Sequence, residues 1–315
     1  MARYLLMGDL HLSDRPPSSC TDTYLDDLFD ILEDTIGIAE AVDASAVIWA
    51  GDVFHHKVAG RTSHATVRRV IDLCWQYPCP VYVVPGNHDM QHDRLSSIDE
   101  TQPLGVVIAS EALKVLNGFD NEFPLYGVPW LMRFDDETVN EALKYFADAE
   151  IGHNLVVTHA PLYPPGQELK FEHYPTEKWA NFMGSRGSVY YGHVHEPHGI
   201  YTSGGVTFCN AGAISRGSLH EHNLTREVQV AVWDSETGQF TLRKVRHKPA
   251  SDVFRLQEAA ETKTAQVKLD DFLTSIGETR IEITSTEAVM AHIRSLQLGA
   301  ELEHLVEQLL AGAAA

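Results

Sequence analysis

Cysteine is scarce in this chain: four occur in 315 residues, Cys20, Cys74, Cys79 and Cys209, and no two form a C-x-x-C pair. That argues against a disulfide-dense secreted scaffold and against a cysteine-based zinc site, and the expectation is reduced thiols in a cytoplasmic protein. A Cys74–Cys79 disulfide is the alternative, with nothing to motivate it. No run of about 18 apolar residues is present, so no membrane-spanning helix and no membrane partner are expected. The opening MARYLLMGDL passes from a short apolar run directly into a chemistry-bearing Asp9, which leaves no room for a removable signal peptide. Basic residues are also few. Lys and Arg number 24 against 44 Asp and Glu, for a net charge of -20. Such a chain repels nucleic acid at long range, because duplex affinity rests largely on cations that neutralise phosphates. Internal repeats and low-complexity tracts are lacking, apart from the terminal GAAA.

What is present alternates. Apolar runs at 3–8, 46–50 and 81–84 read as strands, and 24–41 and 62–77 carry apolar residues at helical spacing. The first 90 residues therefore read β-α-β-α-β, with continuous apolar strands suited to the interior of a helix-covered sheet. Shorter strands are expected at 113–116, 124–128, 154–158, 188–191, 199–202, 206–209, 228–233 and 239–245, with one helix at about 135–147. The sum predicts an α/β protein of two packed sheets flanked by helices. Near residue 250 the character changes. The pattern predicts a first domain over 1–250 and a small α+β C-terminal subdomain over 251–315, with helices at 265–276, 286–296 and 300–311 and a strand at 280–284.

The chemistry sits just after the strands. They end in Gly8-Asp9-Leu10-His11, Gly51-Asp52, Gly86-Asn87-His88-Asp89, Thr158-His159 and Gly192-His193-Val194-His195. The carboxyl edge of an open α/β sheet is where sites are built, and a glycine beside a ligand lets the chain turn tightly. Each block alone is weak: G-D after a strand is commonplace, and a turn explains half of G-N-H-D. Together, Asp9, His11, Asp52, Asn87, His159, His193 and His195 offer oxygen and imidazole nitrogen but no thiolate. That mixture suits Mn²⁺, Fe or Zn²⁺ better than Mg²⁺ or Ca²⁺. Seven ligands are too many for one catalytic ion with open positions. With one bridging carboxylate they suffice for two ions about 3.5–4 Å apart, the arrangement for in-line phosphoryl displacement.

The order GDLH, GD, GNHD, TH, GHVH, over roughly residues 1–245, resembles the calcineurin-like metallophosphoesterase superfamily. The resemblance implies a four-layer α/β/β/α sandwich. It implies that Asp9, His11 and His195 hold one ion, that Asn87, His159 and His193 hold the other, and that Asp52 bridges. It also implies that His88 stands beside the phosphate as proton donor or transition-state stabiliser, a role suited to imidazole, which titrates near neutrality. Asp89 is expected to support the ligands rather than join them. Within the superfamily, Gly51-Asp52-Val53-Phe54-His55 with Lys57, Val128-Pro129-Trp130 and Gly192-His193-Val194-His195-Glu196 resemble the SbcD-type DNA double-strand-break nuclease branch, phage-encoded relatives included. That finer resemblance implies a Mn²⁺-dependent exo/endonuclease for DNA repair and recombination, a homodimer, and an SbcC-type coiled-coil ATPase partner.

His55, His56, His92 and Arg94 are candidate substrate contacts, the alternative being exposed loop residues. Arg61, Arg68, Arg69, Arg94 and Arg216 are the basic groups expected to be available for a DNA backbone. Two departures from the branch stand out. The chain is short for it, and the apolar stripes of 286–311 suit either docking on a partner or packing on their own domain. The charge of -20 favours the competing reading, a phosphoesterase for small molecules, nucleotides or phosphoproteins. A non-catalytic scaffold would have lost ligands, and none is lost here.

Overall fold

The computed structural model describes residues 2–58, 60–148, 154–166 and 173–257, together with Met290, Arg294 and His304. The chain divides into two compact units, Met1–Phe254 and Arg255–Ala315. Along the first unit run β1 (Arg3–Met7), α1 (Tyr24–Ala41), β2 (Ala44–Trp49), α2 (His64–Cys74), β3 (Val81–Val83), α3 (Pro103–Ala109), β4 (Lys114–Val115), β5 (Gly118–Phe119) and β6 (Leu125–Val128). Then follow α4 (Asp136–Asp148), β7 (Leu155–His159), β8 (Leu162–Tyr163), β9 (Tyr174–Pro175), α5 (Thr176–Phe182), β10 (Ser188–Gly192), β11 (Gly199–Ser203) and β12 (Val206–Asn210). The unit closes with α6 (Glu221–Thr225), β13 (Gln229–Asp234), β14 (Gln239–Lys244) and α7 (Ala250–Val253). In the second unit, Met290, Arg294 and His304 are helical. The strand expected at 280–284 and the remainder of the expected helices lie outside the described residues.

Two six-stranded sheets form, ordered β14-β13-β1-β2-β3-β4 and β11-β12-β10-β7-β6-β5, with a small β8-β9 pair. The interior strands β1, β2 and β3 run parallel, as do β6, β7, β10 and β12. Successive side chains of a strand point to opposite faces, and the strands use both faces. On β1, Tyr4 and Leu6 join the layer between the sheets, while Leu5 and Met7 pack with Leu28 and Leu32 of α1. On β7, Leu155 and Val157 face the same inter-sheet layer, and Val156 packs with Val139 and Leu143 of α4 and Trp179 of α5. Three apolar layers therefore separate four structural layers, helices, sheet, sheet and helices, as the sequence pattern requires.

Most helices and strands lie where periodicity places them. The second helix is shorter than the 62–77 expected: it starts at His64 because Ser63 caps it, its Oγ accepting from the Thr66 N–H at 3.2 Å, and it ends at Cys74. Several short elements were not expected: α3, α5, α6, α7, β5, β8 and β9. The α3 segment PLGVVIA carries a β-branched run that reads as strand, and α5 is only seven residues long, too short to display a helical period. All four cysteines are free thiols, so Cys74 and Cys79 are not bridged. No helix among the described residues is long and apolar enough to cross a membrane.

Candidate metal centre

Parallel strands align their carboxyl ends, and here the two sheets bring theirs to one place. Asp9 and His11 follow β1, Asp52 follows β2, Asn87 follows β3, His159 ends β7, and His193 and His195 follow β10. The backbone is bent sharply at four of them. Asp9, His11, Asp52 and His193 have φ of 55°, 47°, 53° and 80°, the left-handed region that non-glycine residues avoid. Residues held in such conformations cluster where tertiary structure over-determines them, as at functional sites. Two glycines make the approach possible. A Cβ on Gly86 would lie 2.2 Å from Asp52 Oδ1, and one on Gly51, whose φ is +86°, would lie 2.4 Å from His159 Nδ1.

The structure brings all seven candidate ligands together. Asp9, His11 and His195 form one group and Asp9, Asp52 and His159 an adjoining one, the donor atoms within each lying within 4.8 Å of one another. Asp52 Oδ2 stands 3.6 Å from His11 Nε2 and 3.3 Å from His159 Nε2, so a single oxygen faces both sides. Asn87 Oδ1 is 3.1 Å from His159 Nε2 and 3.3 Å from His193 Nδ1. His11 Nε2 and His195 Nε2 are 3.0 Å apart. Two imidazole nitrogens on one cation at about 2.1 Å and a right angle would be separated by about 3 Å.

The donor set itself calls for a cation. The Nδ1–H of His159 donates to the Ala50 carbonyl at 2.7 Å. In the neutral ring this leaves Nε2 as a bare lone pair, aimed at the oxygens of Asp52 and Asn87. Three acceptors facing one another repel unless a proton or a metal ion sits among them. Burial lowers the imidazoles of His11 and His193 to about 3 and of His195 to about 4, which keeps them neutral and ready to coordinate. Burial would lower His159 too, but the charge and hydrogen bond of Asp52, then Asp9, raise it to about 9. Burial also opposes ionisation of Asp52, yet the facing His159 and His11 hold its carboxyl well below the usual range. Asp9 is lifted to about 7, by burial first, against the pull of His159 and with Asp52 adding to the rise. A buried carboxylate pair with inward-facing imidazoles thus fits two divalent cations.

Supporting contacts fix the loops. The Asp89 carboxylate accepts from three backbone N–H groups, Asp52 at 2.8 Å, Gly86 at 2.9 Å and Val53 at 3.1 Å, tying the GNHD loop to the GD loop. Lys57 Nζ donates to the carbonyls of Met90 at 2.7 Å and Asn87 at 3.1 Å. Trp130 lays its ring against His193, centroids 4.7 Å apart. The Asp9 carboxylate accepts the His193 N–H at 3.0 Å to Oδ1 and 3.1 Å to Oδ2, joining the first sheet's loop to the second's. Asn210, which no motif flagged, secures the turn bearing His193 and His195. Its amide donates to the Tyr191 and Val194 carbonyls at 3.0 and 3.1 Å, and its Oδ1 accepts from the His198 and Gly212 N–H groups at 3.2 and 3.1 Å. The one available signal was its position at a strand end followed by Ala211-Gly212.

His88 stands over the centre. Its N–H donates to Asp52 Oδ1 at 2.8 Å, and its Nδ1–H to the His55 carbonyl at 2.8 Å, which leaves Nε2 as the free nitrogen. With His11, His55, His56 and His195 it lines the inner end of a cleft of about 470 Å³. His92 and Arg94 are exposed on the 91–97 loop and do not line this cleft, although they were expected to meet substrate beside His55 and His56. The basic groups expected to track a backbone are partly committed elsewhere. Arg216 is buried and donates to the Lys248 carbonyl at 2.6 Å, Arg69 pairs with Asp26 at 2.6 Å, and Arg68 pairs with Asp72 at 3.5 Å. A larger cavity of about 760 Å³, lined by Trp75, Cys79 and Lys114, lies at the opposite end of β3 from Asn87 and holds no ligand cluster among the described residues.

Comparison with known proteins agrees with this geometry. The model of the family described as calcineurin-like phosphoesterase matches residues 2–197, a span that holds all seven candidate ligands and His88. Among solved structures, TT1561 of Thermus thermophilus is similar in fold, with a TM-score of 0.52 at 12% identity, over 78% of this chain and 99% of that one. Curated proteins give no match. Since the family match takes in well over half of the chain and every strand end that converges on the centre, the chain belongs to the calcineurin-like phosphoesterase family, metal-dependent hydrolases of phosphate esters.

Proposed function

We propose that this chain is a two-metal phosphodiesterase acting on DNA, the nuclease subunit of an SbcCD-like repair and recombination complex. The observation that carries the finer reading is where the branch-like residues stand. His55 gives its carbonyl to His88, Lys57 holds the carbonyls of Asn87 and Met90, and Trp130 packs on His193. All three touch loops of the metal centre rather than scattered surface.

In this reading Asp9, His11 and His195 would hold one cation, Asn87, His159 and His193 would hold the second, and Asp52 would be shared between them. Mn²⁺ is the expected metal, with Fe, Zn²⁺ or Mg²⁺ as alternatives. Bound cations supply neutralisation of the phosphoryl oxygens and an acidified water as nucleophile. The protein's part is positioning and proton transfer. Asp89 and Asn210 hold the ligand loops so that no reorganisation accompanies charge development. His88, its Nδ1–H held by the His55 carbonyl, presents Nε2 to the phosphoryl group; with both ring nitrogens protonated it hands the Nε2 proton to the departing sugar oxygen and is left as the neutral imidazole.

The net charge of -20 implies that the lone chain binds duplex weakly and with steep salt dependence, and that an SbcC-type coiled-coil ATPase supplies the remaining affinity. A homodimer and a docking or capping role for 251–315 belong to the same proposal. The deciding experiment compares Mn²⁺-dependent turnover of linear DNA with that of bis-p-nitrophenyl phosphate and cyclic nucleotides. DNA cleavage abolished by EDTA supports the reading; turnover confined to the small esters overturns it. One observation favours that second outcome. Among the described residues, Arg15 is the one lysine or arginine that lines the cleft. A small phosphoester needs fewer cations than a DNA backbone.

A further inference from the structure

Phosphoryl transfer uses the inner half of the 470 Å³ cleft, where His11, His88 and His195 stand. The outer half, lined by Arg15, Pro16, Pro17, Tyr24 and Ser218, has no part in that chemistry. It is nevertheless rigidly built. The Asp14 carboxylate accepts from the Ser63 N–H, the Ser63 hydroxyl and the Thr66 hydroxyl at the start of α2, anchoring the 13–17 loop on one side. On the other side the Cys20 N–H donates to the Pro17 carbonyl at 2.8 Å. Gly217 closes against the same wall: a Cβ there would lie 3.3 Å from Pro17 Cγ and 3.4 Å from the Tyr24 hydroxyl. Proline fixes its own φ, so the Pro16–Pro17 face is preformed.

Charge at the mouth points the same way. Arg15 and His56 line the cleft together, and His56 is held below its ordinary range, first by burial and then by the charges of Arg61, His88 and Arg15. Neither Arg15 nor Arg61 has an ion-pair partner among the described residues, and both are exposed. In a chain of net charge -20, the Arg15 guanidinium in the cleft, with the charge of Arg61 also felt at His56, makes a local anion-attracting field. The volume lies within the roughly 300–1,000 Å³ of small-ligand sites.

We propose that this outer half is a subsite for the nucleoside and second phosphate that flank the scissile phosphate. The Pro16–Pro17 face, with Tyr24 behind it, receives the flat base, and Arg15, seconded by Arg61, takes the phosphate through its planar fork. The inference rests on the phosphodiester reading above and names the substrate groups that the same site recognises.

The test uses the full chain loaded with Mn²⁺ and two kinds of probe: methyl p-nitrophenyl phosphate, and the isomeric mono-p-nitrophenyl esters of thymidine 3′,5′-bisphosphate. The wild type is expected to prefer one thymidine isomer over the methyl ester by at least tenfold in kcat/KM. Arg15→Ala is expected to erase most of that preference through a roughly tenfold rise in KM at constant kcat, and Arg15→Lys to recover part of it. Pro16→Gly with Pro17→Gly is expected to raise KM for the same isomer. An equal fall for both kinds of ester, or no change in either, overturns the subsite. The two readings fail separately. Arg15-dependent preference for the thymidine ester with DNA left intact removes the DNA assignment and keeps the subsite. DNA cleavage whose KM ignores Arg15 and the two prolines removes the subsite and keeps the DNA assignment.

Discussion

His159 Nε2 lies 3.3 Å from Asp52 Oδ2 at the floor of the centre, with the other ring nitrogen donated to the Ala50 carbonyl. One acidic hydrogen or one cation must occupy that gap, and the two compete. In the metal-free protein His159 is raised to about 9, so it carries a proton at neutral pH. Metal binding displaces it. Affinity is therefore expected to climb with pH, by about tenfold per unit for each proton released, and to level off above pH 9. Calorimetry in buffers of different ionisation enthalpy reads the proton count directly, and a count of zero at pH 7.5 contradicts this account.

The same shifts set the stability of the metal-free protein. A histidine raised to about 9 stabilises the fold fully below its ordinary value and loses that contribution as pH rises through 9. Asp9 and Asp89, both lifted to about 7, act in the same direction, because the folded state holds protons that the unfolded chain has already released. The neutral His11, His193 and His195, lowered to about 3–4, oppose this trend below their ordinary value, because there the unfolded chain binds protons that the fold refuses. Thermal unfolding in EDTA is therefore expected to show Tm falling from about pH 7 to pH 9, with a flatter profile once Mn²⁺ is present.

His88→Ala removes a ring that packs edge-on against the ring of His11, centroids 4.9 Å apart, and keeps the backbone N–H that donates to Asp52 Oδ1. Both cations are expected to remain, by elemental analysis, while turnover falls by about 10²–10⁴-fold, the usual contribution of a positioned acid. Normal turnover by this variant would assign the proton transfer elsewhere.

Asp89→Ala leaves three buried N–H donors without an acceptor, those of Asp52, Val53 and Gly86. Each orphaned donor costs about 1–3 kcal/mol. Chemical denaturation is expected to show a loss of several kcal/mol, with metal affinity reduced by about 10–100-fold, as for other groups that orient ligands. Asp89→Asn keeps one of the two acceptor oxygens and is expected to lose less.

Gly86→Ala touches no ligand chemically, yet its Cβ would lie 2.2 Å from Asp52 Oδ1 and 2.8 Å from the Asp52 nitrogen. Asp52 must move, and with it the one oxygen that faces both halves of the centre. Fewer than two Mn²⁺ per chain are expected, with the first sheet's secondary structure kept by circular dichroism.

The strand-end chemistry was legible because it is local. An apolar run followed by Gly-Asp or Gly-Asn-His-Asp encodes both the strand and the tight turn at its end, and the alternation of β1 and β7 encodes which side chains reach each layer. The residue types alone implied a cation, since oxygens and imidazoles with no thiolate have few other uses in concert. Three dimensions were needed for whatever depends on partners far along the chain. Asn210 reads as a turn residue until its amide is seen fastening the 191–194 segment, and Arg216 reads as a free cation until burial against the Lys248 carbonyl withdraws it. Likewise His55 and His92 carry the same side chain in similar loops, and tertiary packing admits one to the cleft and leaves the other outside. Sequence sets which groups are available and how each short segment bends. Which of them share a cation or face the same wall is decided by long-range hydrogen bonds and burial, and these leave no periodic trace in the chain.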